Sequence, residues 1–461
     1  MTGAPSAHSE IAAAAPAAEW ARFLRLHPQV AALDAFVIDV NGNTLGKRVP
    51  AADAAAVYAD GVQFSASALF ADCRGLGHNV QGMGGSDGDP DGVALPIAGS
   101  LCLAPWTHSP TAQVLCEMRD IESRRPLWFD PRRVLAEVVR GCRDAGIHPL
   151  LACELEFYLI DPRRGADGRI ALAASSAKAA APRRAANLSM DAVEANAAFL
   201  DKVNHAAAAQ GVALCGAVAE YGIGQFEINL RHVADPLRAA DHAVLLKRIV
   251  KGVAMSMGLQ ATFMAKPFAD QPGSGLHVHV SIVDEQGENR FGAAGGERLL
   301  QQAVAGMQAL MDDSLGICAP NFNSHRRFLG PFVPRSRDWG YNNRSVAFRV
   351  PASAAAARRI EHRVAGADAS PHLVLAVVLA AILHGIGREL SPTAPAAGRV
   401  GGDVEAGQTR GLSAALERTA KSAELAQYLP QRFLELFCEL KRKECAALMQ
   451  EILPAEHDFY L

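Results

Sequence analysis

The chain has 461 residues, half of them hydrophobic and 20% charged, with a formal charge of −3 and a pI near 6.6. This composition supports a sizeable core and provides no field that would recruit nucleic acid or an anionic membrane surface. Nine cysteines occur singly, with no C-x-x-C pair, which argues for reduced thiols and against a disulfide framework or a zinc site. The N-terminus is Ala-rich but lacks the basic start and unbroken apolar core of a signal peptide. The longest apolar run, residues 373–383, stops at His384 and is too short to span a bilayer, so a buried helix is expected there. A soluble, cytoplasmic protein is the expectation.

Residues 1–15 read as a disordered Ala/Pro tail. Residues 34–49 read as two strands around an Asn41-Gly42-Asn43 turn. A strand is expected at 113–118, after a long loop rich in Gly and Asp. Residues 126–131 read as a linker before an amphipathic helix at 131–145 and a fresh strand at 149–160. The unit boundary therefore falls near 122, giving an N-terminal unit over 16–122 and a larger one over 123–461. Further helices are expected near 191–210, 235–257, 295–312, 371–387 and 431–452. Strands are expected near 212–219, 225–230, 259–264, 276–283, 345–350 and 358–363. Such mixing belongs to the α/β or α+β class. Residues 165–186 are Ala/Arg-rich and read as a surface excursion, and no repeat of solenoid period is present.

The strand at 149–160 carries Cys153-Glu154-Leu155-Glu156-Phe157. Residues two apart share a strand face, so Glu154 and Glu156 stand side by side among apolar neighbours. Unpaired carboxylates are costly in such a setting, and magnesium or manganese suits their hard oxygens. A surface strand with a polar face would show the same spacing, so the companions matter.

Four clusters accompany the pair. Glu220 and Glu227 bracket a Gly-containing turn, Tyr221-Gly222-Ile223-Gly224. His277 and His279 alternate with apolar residues in Gly273-Ser274-Gly275-Leu276-His277-Val278-His279-Val280-Ser281. Arg359, Glu361 and Arg363 share a face of another alternating run. Arg326, Arg327, Arg344 and Arg349 add guanidinium groups, with Arg344 and Arg349 in a strand-like stretch. Acids for several cations and arginines for anions suit phosphoryl transfer. No Walker-type phosphate loop occurs. The Asp87-Gly88-Asp89-Pro90-Asp91-Gly92 run mimics a calcium loop but has Ala98 where the twelfth-position Glu belongs. Gly84-Gly85-Ser86-Asp87-Gly88 matches a nucleophile elbow only in letters, since it lies in an acidic loop.

These motifs, with Asp39-Val40-Asn41-Gly42, Arg349-Val350-Pro351 and Arg358-Arg359-Ile360-Glu361, make the chain resemble the glutamine synthetase superfamily from about residue 30 to the C-terminus. The resemblance implies an α+β protein with an N-terminal β-grasp domain and a C-terminal glutamine synthetase-type catalytic α/β domain. It implies hexameric rings or dodecamers with active sites between subunits. It implies two or three magnesium or manganese ions per site and ATP as co-substrate. By resemblance, Glu156, Glu220 and Glu227 hold the metal near the substrate carboxylate, while Glu154, His277 and Glu361 hold the metal on the ATP phosphates. His279, Ser281, Arg349 and Arg359 fall at nucleotide positions. Arg327 and Arg363 match the glutamate-gripping arginines, with Gly273 at the amino-acid end, and Arg344 matches the arginine on the transferring phosphate.

The nitrogen donor is where the chain departs from that pattern. Ammonia-using members carry a carboxylate on the flap after the glutamate-binding arginine, whereas this chain has Val333 there. A second carboxylate, from a neighbour's N-terminal domain, aligns with Ser65, and Asp87, Asp89 and Asp91 read as solvated loop acids. Pro272 replaces the family's Asn before Gly273. An apolar flap without anions suits an alkyl amine better than ammonium. The implied activity is therefore ligation of the γ-carboxylate of glutamate to an amine through γ-glutamyl phosphate, resembling γ-glutamylputrescine and γ-glutamylpolyamine synthetases. The acceptor is left open between a polyamine such as putrescine and a monoamine. Ammonia-dependent glutamine synthesis and a non-catalytic structural or regulatory role are the alternatives.

Overall fold

The computed structural model describes residues 16–165, 168–173, 187–400, 411–452 and 456–457. The expected tail at 1–15 and most of the 165–186 excursion lie outside them.

The N-terminal part begins with helix α1 (Pro16–Leu26) and the hairpin β1 (Ala32–Ile38) and β2 (Thr44–Pro50). Its turn needs Gly42 at φ +77°, and the Asp39 carboxylate accepts the Asn41 and Asn43 amides at 2.9 and 2.7 Å. Helix α2 (Ala54–Asp60) and strands β3 (Val62–Ser65), β4 (Asp91–Pro96), β5 (Cys102–Leu103) and β6 (Thr111–Arg119) follow. The sheet order is β2-β1-β6-β4-β3, with β5 also on β6 and with β1 parallel to β6, consistent with a β-grasp arrangement. The expected Gly/Asp-rich loop thus contains β4 and β5, both too short and too turn-flanked to show a period-2 signal.

The second part starts with α3 (Pro131–Asp144), whose Asp130 cap accepts the Arg132 and Arg133 amides. Strand β7 (His148–Ile160) leads to α4 (Met190–Ala195) and α5 (Ala197–Ala209), a single expected helix broken at Asn196. Then come β8 (Leu214–Ala219), β9 (Gln225–Leu230), α6 (Pro236–Ser256), β10 (Gln260–Thr262), β11 (Leu276–Val283), α7 (Gly296–Cys318) and α8 (Phe322–Arg327). Strands β12 (Trp339–Tyr341), β13 (Phe348–Val350) and β14 (Ile360–His362) and helices α9 (Pro371–Gly387), α10 (Leu412–Lys421) and α11 (Gln431–Leu448) complete it. The sheet runs β12-β13-β14-β11-β7-β9-β8, with β10 added on β7.

Alternation along β7 decides which face is which. Leu151, Cys153, Leu155 and Phe157 are buried in the core, Phe157 against Phe199, Phe226 and Phe263. Glu154 and Glu156 are half-buried on the opposite face. Helix α9 is buried along nearly its whole length, as its unbroken apolar run requires. It crosses α7 at Gly306 and Gly385, where a Cβ on either would fall about 2 Å from the other helix's carbonyls. The two sheets share no strand. Arg248 of α6 ties the second part to the N-terminal sheet, donating to Asp34 at 3.1 Å and Gln113 at 2.8 Å. Among the described residues, no helix is long and apolar enough to cross a membrane.

Candidate active site

Strand register assembles the acids. Glu154 pairs with His277 of β11 on one side and Asn229 of β9 on the other, and Glu156 pairs with Glu227 of β9. Glu220 follows β8 at the start of the turn into β9, its amide bonded to the Gln225 carbonyl at 2.9 Å. Gly222 is demanded there, because a Cβ would lie 2.1 Å from the Tyr158 hydroxyl. Across β11, His279 pairs with Glu361 of β14. Three overlapping groups result, each with ligand atoms within 4.8 Å of one another: Glu156, Glu220 and Glu227; Glu154, Glu227 and His277; Glu154, His279 and Glu361. His277 lies 3.8 Å from Glu361 as well. Both histidines therefore face the same carboxylates, so His279, expected at the nucleotide, also falls within a candidate metal group.

The charges explain what such a site needs. Burial, then Glu156, pushes the Glu220 carboxyl up to about 7. Burial, then Glu154, Glu156 and Glu220, pushes Glu227 up to about 9. Burial raises Glu154 too, but hydrogen bonds with His277 and His279 (3.0 Å for the latter) more than reverse this and hold it well below the usual range. Glu361 is likewise held low, burial being outweighed by Arg363 and the two histidines. Glutamates crowded so closely that Glu220 and Glu227 resist ionisation, with two histidines beside them, form a hard donor set fitting a divalent cation. Glu156 is further fixed by the Gly275 amide at 2.6 Å, and Glu227 by Asn229 at 2.9 Å.

The arginines divide by depth. Arg363 and Arg349 both donate to Glu361, Arg349 at 2.8 Å. Arg359 donates to His279 Nδ1 at 3.2 Å. Arg327, at the end of α8, is 3% exposed, and one of its amino groups donates to the Val364 carbonyl at 2.9 Å. The Nε atoms of Arg327 and Arg363 are buried without an acceptor among the described residues. Arg327 packs on Gly273 and Gly275, where Cβ atoms would fall 2.7 Å from its side chain. A buried arginine pair with unused donors beside Glu156 has the chemistry to receive a carboxylate.

One expectation is corrected, the extent of the strand at 345–350, and four other residues take up specific positions. Strand β13 begins only at Phe348, so Arg344 lies in an exposed turn, where it lines a cavity with Asn343 and Arg399 that includes none of the acids. The run at 345–350 keeps only its last three residues as strand, since the Asn343 side-chain oxygen accepts from both the Ser345 amide and hydroxyl and holds the start in a turn. Ser281, expected at the nucleotide, is buried on β11 and donates to the Arg358 carbonyl at 2.8 Å. Asp89 is an exposed loop acid, as expected, and its carboxylate accepts hydrogen bonds from Ser65 and Ser67, which hold it below its ordinary range. An anion therefore does stand at Ser65. Val333 is half-buried against the core.

The sequence reading passed over Gln225, which donates to the Gly273 carbonyl at 3.0 Å, and Asn229. Both alternate with Glu227 along β9, a signal open to period-2 counting. It also passed over Tyr221 and Phe332, whose rings stack across the flap and carry no local pattern. A larger cavity, about 1450 Å³, opens between the 41–43 turn, β10 and the loop after it. It reaches the back of the flap at 329–331 but is lined by none of the acids.

A sheet face holding cation-ready glutamates beside carboxylate-ready arginines defines a metal-assisted, acyl-activating enzyme. The family model for the glutamine synthetase catalytic domain matches residues 129–460, and the chain belongs to the glutamine synthetase family. The chain is 36% identical to gamma-glutamylputrescine synthetase PuuA of Escherichia coli (strain K12), over 95% of this chain and 93% of that one. It is 32% identical to a glutamate--isopropylamine ligase of Pseudomonas sp, over 88% and 89%. A solved structure of ligand-free GmaS superposes with a TM-score of 0.79 at 26% identity, over 95% of this chain and 98% of that one.

Proposed function

We propose that the protein is an ATP-dependent ligase joining the γ-carboxylate of glutamate to an amine. The observation that carries the amine over ammonium is the flap, where Val333 packs against the core in place of an acid. The relatives named for putrescine and isopropylamine ligation support the same reading. The complete set of Glu154, Glu156, Glu220, Glu227, His277 and Glu361 speaks against a non-catalytic role.

Arg327 and Arg363 hold glutamate by its α-carboxylate with the Nε donors they keep free. Gly273 and Gly275 keep the backbone close enough for that grip. Glu156, Glu220 and Glu227 would hold one divalent cation, magnesium or manganese, and Glu154, His277 and Glu361 another. When bound, these ions neutralise the triphosphate and the developing charge as the γ-carboxylate attacks the γ-phosphate. Arg349 and Arg359 exchange their resting partners, Glu361 and His279, for phosphate oxygens. The amine nitrogen then attacks the acyl carbon of γ-glutamyl phosphate, the bond from that carbon to the phosphate oxygen breaks, phosphate leaves, and the nitrogen's proton passes to a nearby carboxylate or to the departing phosphate. A flap closed over the intermediate excludes water.

The catalytic unit begins near 123, subunits assemble as hexameric rings or dodecamers, and the compartment is the cytoplasm, where ATP and glutamate are abundant. In such a ring, Asp89 of a neighbouring N-terminal sheet would meet a second ammonium, which favours a diamine.

The test is phosphate release with glutamate, ATP and magnesium across ammonium, mono-, di- and polyamines. Alkyl amines should outrun ammonium, and Val333→Glu should shift the preference toward ammonium. Equal turnover of ammonium and every amine would sink the proposal.

A further inference from the structure

Phe332 and Tyr221 stack with ring centroids 4.5 Å apart and planes at 28°, although both are exposed, by 60% and 40%. Exposed aromatics paired this closely across two separate loops need a reason. Phe332 stands between Pro331-Phe332-Val333-Pro334 neighbours at φ +66°, a left-handed conformation that bulky side chains avoid. The loop is held by Arg335, which donates to the Phe328 carbonyl at 2.6 Å and the Gly330 carbonyl at 2.9 Å. Strain of this kind persists where the surroundings over-determine it. Tyr221 is equally constrained: it directly follows Glu220, and its amide donates to the Glu220 carboxylate at 3.3 Å. The stack therefore ties the flap to the turn that carries Glu220, at the Glu156–Glu220–Glu227 end of the site.

We infer that the Tyr221–Phe332 stack is the wall along which the amine's alkyl chain enters and lies, and that it sets the amine preference of the enzyme. The inference rests on the ligase reading above, which puts the acyl phosphate at that end of the site. Two aromatic faces give apolar surface to methylene groups and a favourable π-face to an ammonium in transit, while offering no anion to a bare, strongly hydrated ammonium ion. Neither ring donates to the acids, so the pair acts on what is accepted and leaves glutamate activation to other groups.

The experiment compares the unsubstituted enzyme with Phe332→Ala, Tyr221→Ala and the ring-keeping Tyr221→Phe. KM is measured for ammonium, ethylamine, butylamine, glutamate and ATP. Both alanine variants should raise KM for butylamine about tenfold, the scale of a lost apolar pocket contact, and for ethylamine less. KM for glutamate, ATP and ammonium should stay within about twofold, and Tyr221→Phe should behave as the parent. Equal changes for ammonium and butylamine, or none for either, would overturn the inference while leaving ligation intact. A parent enzyme that ligates no amine would instead overturn the ligase reading and this inference with it. Both side chains are exposed, so unchanged circular dichroism and thermal transitions are expected and exclude misfolding as the cause.

Discussion

Glu156 and Gly275 are joined twice: the Glu156 amide donates to the Gly275 carbonyl at 3.0 Å, and the Gly275 amide donates to the Glu156 carboxylate at 2.6 Å. The glycine thus sets both the height of the strand and the direction of a ligand carboxylate. It also leaves room for two other groups, since a Cβ there would lie 2.7 Å from Arg327 and 2.9 Å from His277.

Gly275→Ala should therefore disturb metal and glutamate positions at once. We expect kcat/KM to fall about a hundredfold, the cost of misplacing reacting groups by about 1 Å, with circular dichroism unchanged. Steady-state kinetics with a tight-binding amine check it, and near-parental activity would show that the crowding is relieved elsewhere.

Metal affinity should rise with pH. In the metal-free protein Glu220 keeps its proton up to about 7 and Glu227 up to about 9, against 4.5 ordinarily. The folded chain then binds more protons than the unfolded one, so this stability contribution is present at low pH and is lost as pH rises through those values. Glu154 and Glu361, held low, stay ionised across this window and leave the sign unchanged. The Tm of chelator-treated protein should fall between about pH 6 and pH 9, and excess magnesium should abolish the fall while releasing protons measurable by calorimetry in two buffers. A flat Tm profile without metal would contradict the charge assignment.

Asp89→Asn should separate diamines from monoamines. The serine-held carboxylate gives a charge-assisted contact to a distal ammonium, so its loss should raise KM for putrescine about tenfold and leave that for butylamine unchanged. A matching loss on both amines would remove Asp89 from amine recognition.

Lys441 joins the two parts of the chain from within. It is fully buried and donates to Asn41 at 2.5 Å, Asn321 at 2.8 Å and Glu444 at 3.1 Å. Lys441→Met leaves the Glu444 carboxylate buried without its cation, which should cost about 3–5 kcal/mol in denaturant unfolding. Adding Glu444→Leu should recover part of that loss, and no recovery would mean that the Asn41 and Asn321 contacts dominate.

Much of the site could be read from local spacing. Strand residues two apart share a face, so Glu154 with Glu156, His277 with His279, and Glu361 among its arginines were legible before any fold was known. So were the Asn41-Gly42-Asn43 hairpin, the Asp130-capped helix and the buried α9. Spacing says nothing about partners distant in sequence. Only the β7–β9 and β7–β11 registers put Glu156 against Glu227 and Glu154 against His277, and only the β11–β14 register brought His279 to Glu361. The strand at 345–350 was drawn too long because a three-residue strand, Phe348–Val350, offers too few positions for a period to show. Asp89 and the Tyr221–Phe332 stack stayed hidden because each contact crosses between loops, where no periodicity exists. Sequence by itself determined which side chains could bind cations and anions, through composition and strand alternation. Tertiary structure decided which of them meet and which loop aromatics stack beside them, because register and loop contacts are set by packing between segments far apart in the chain.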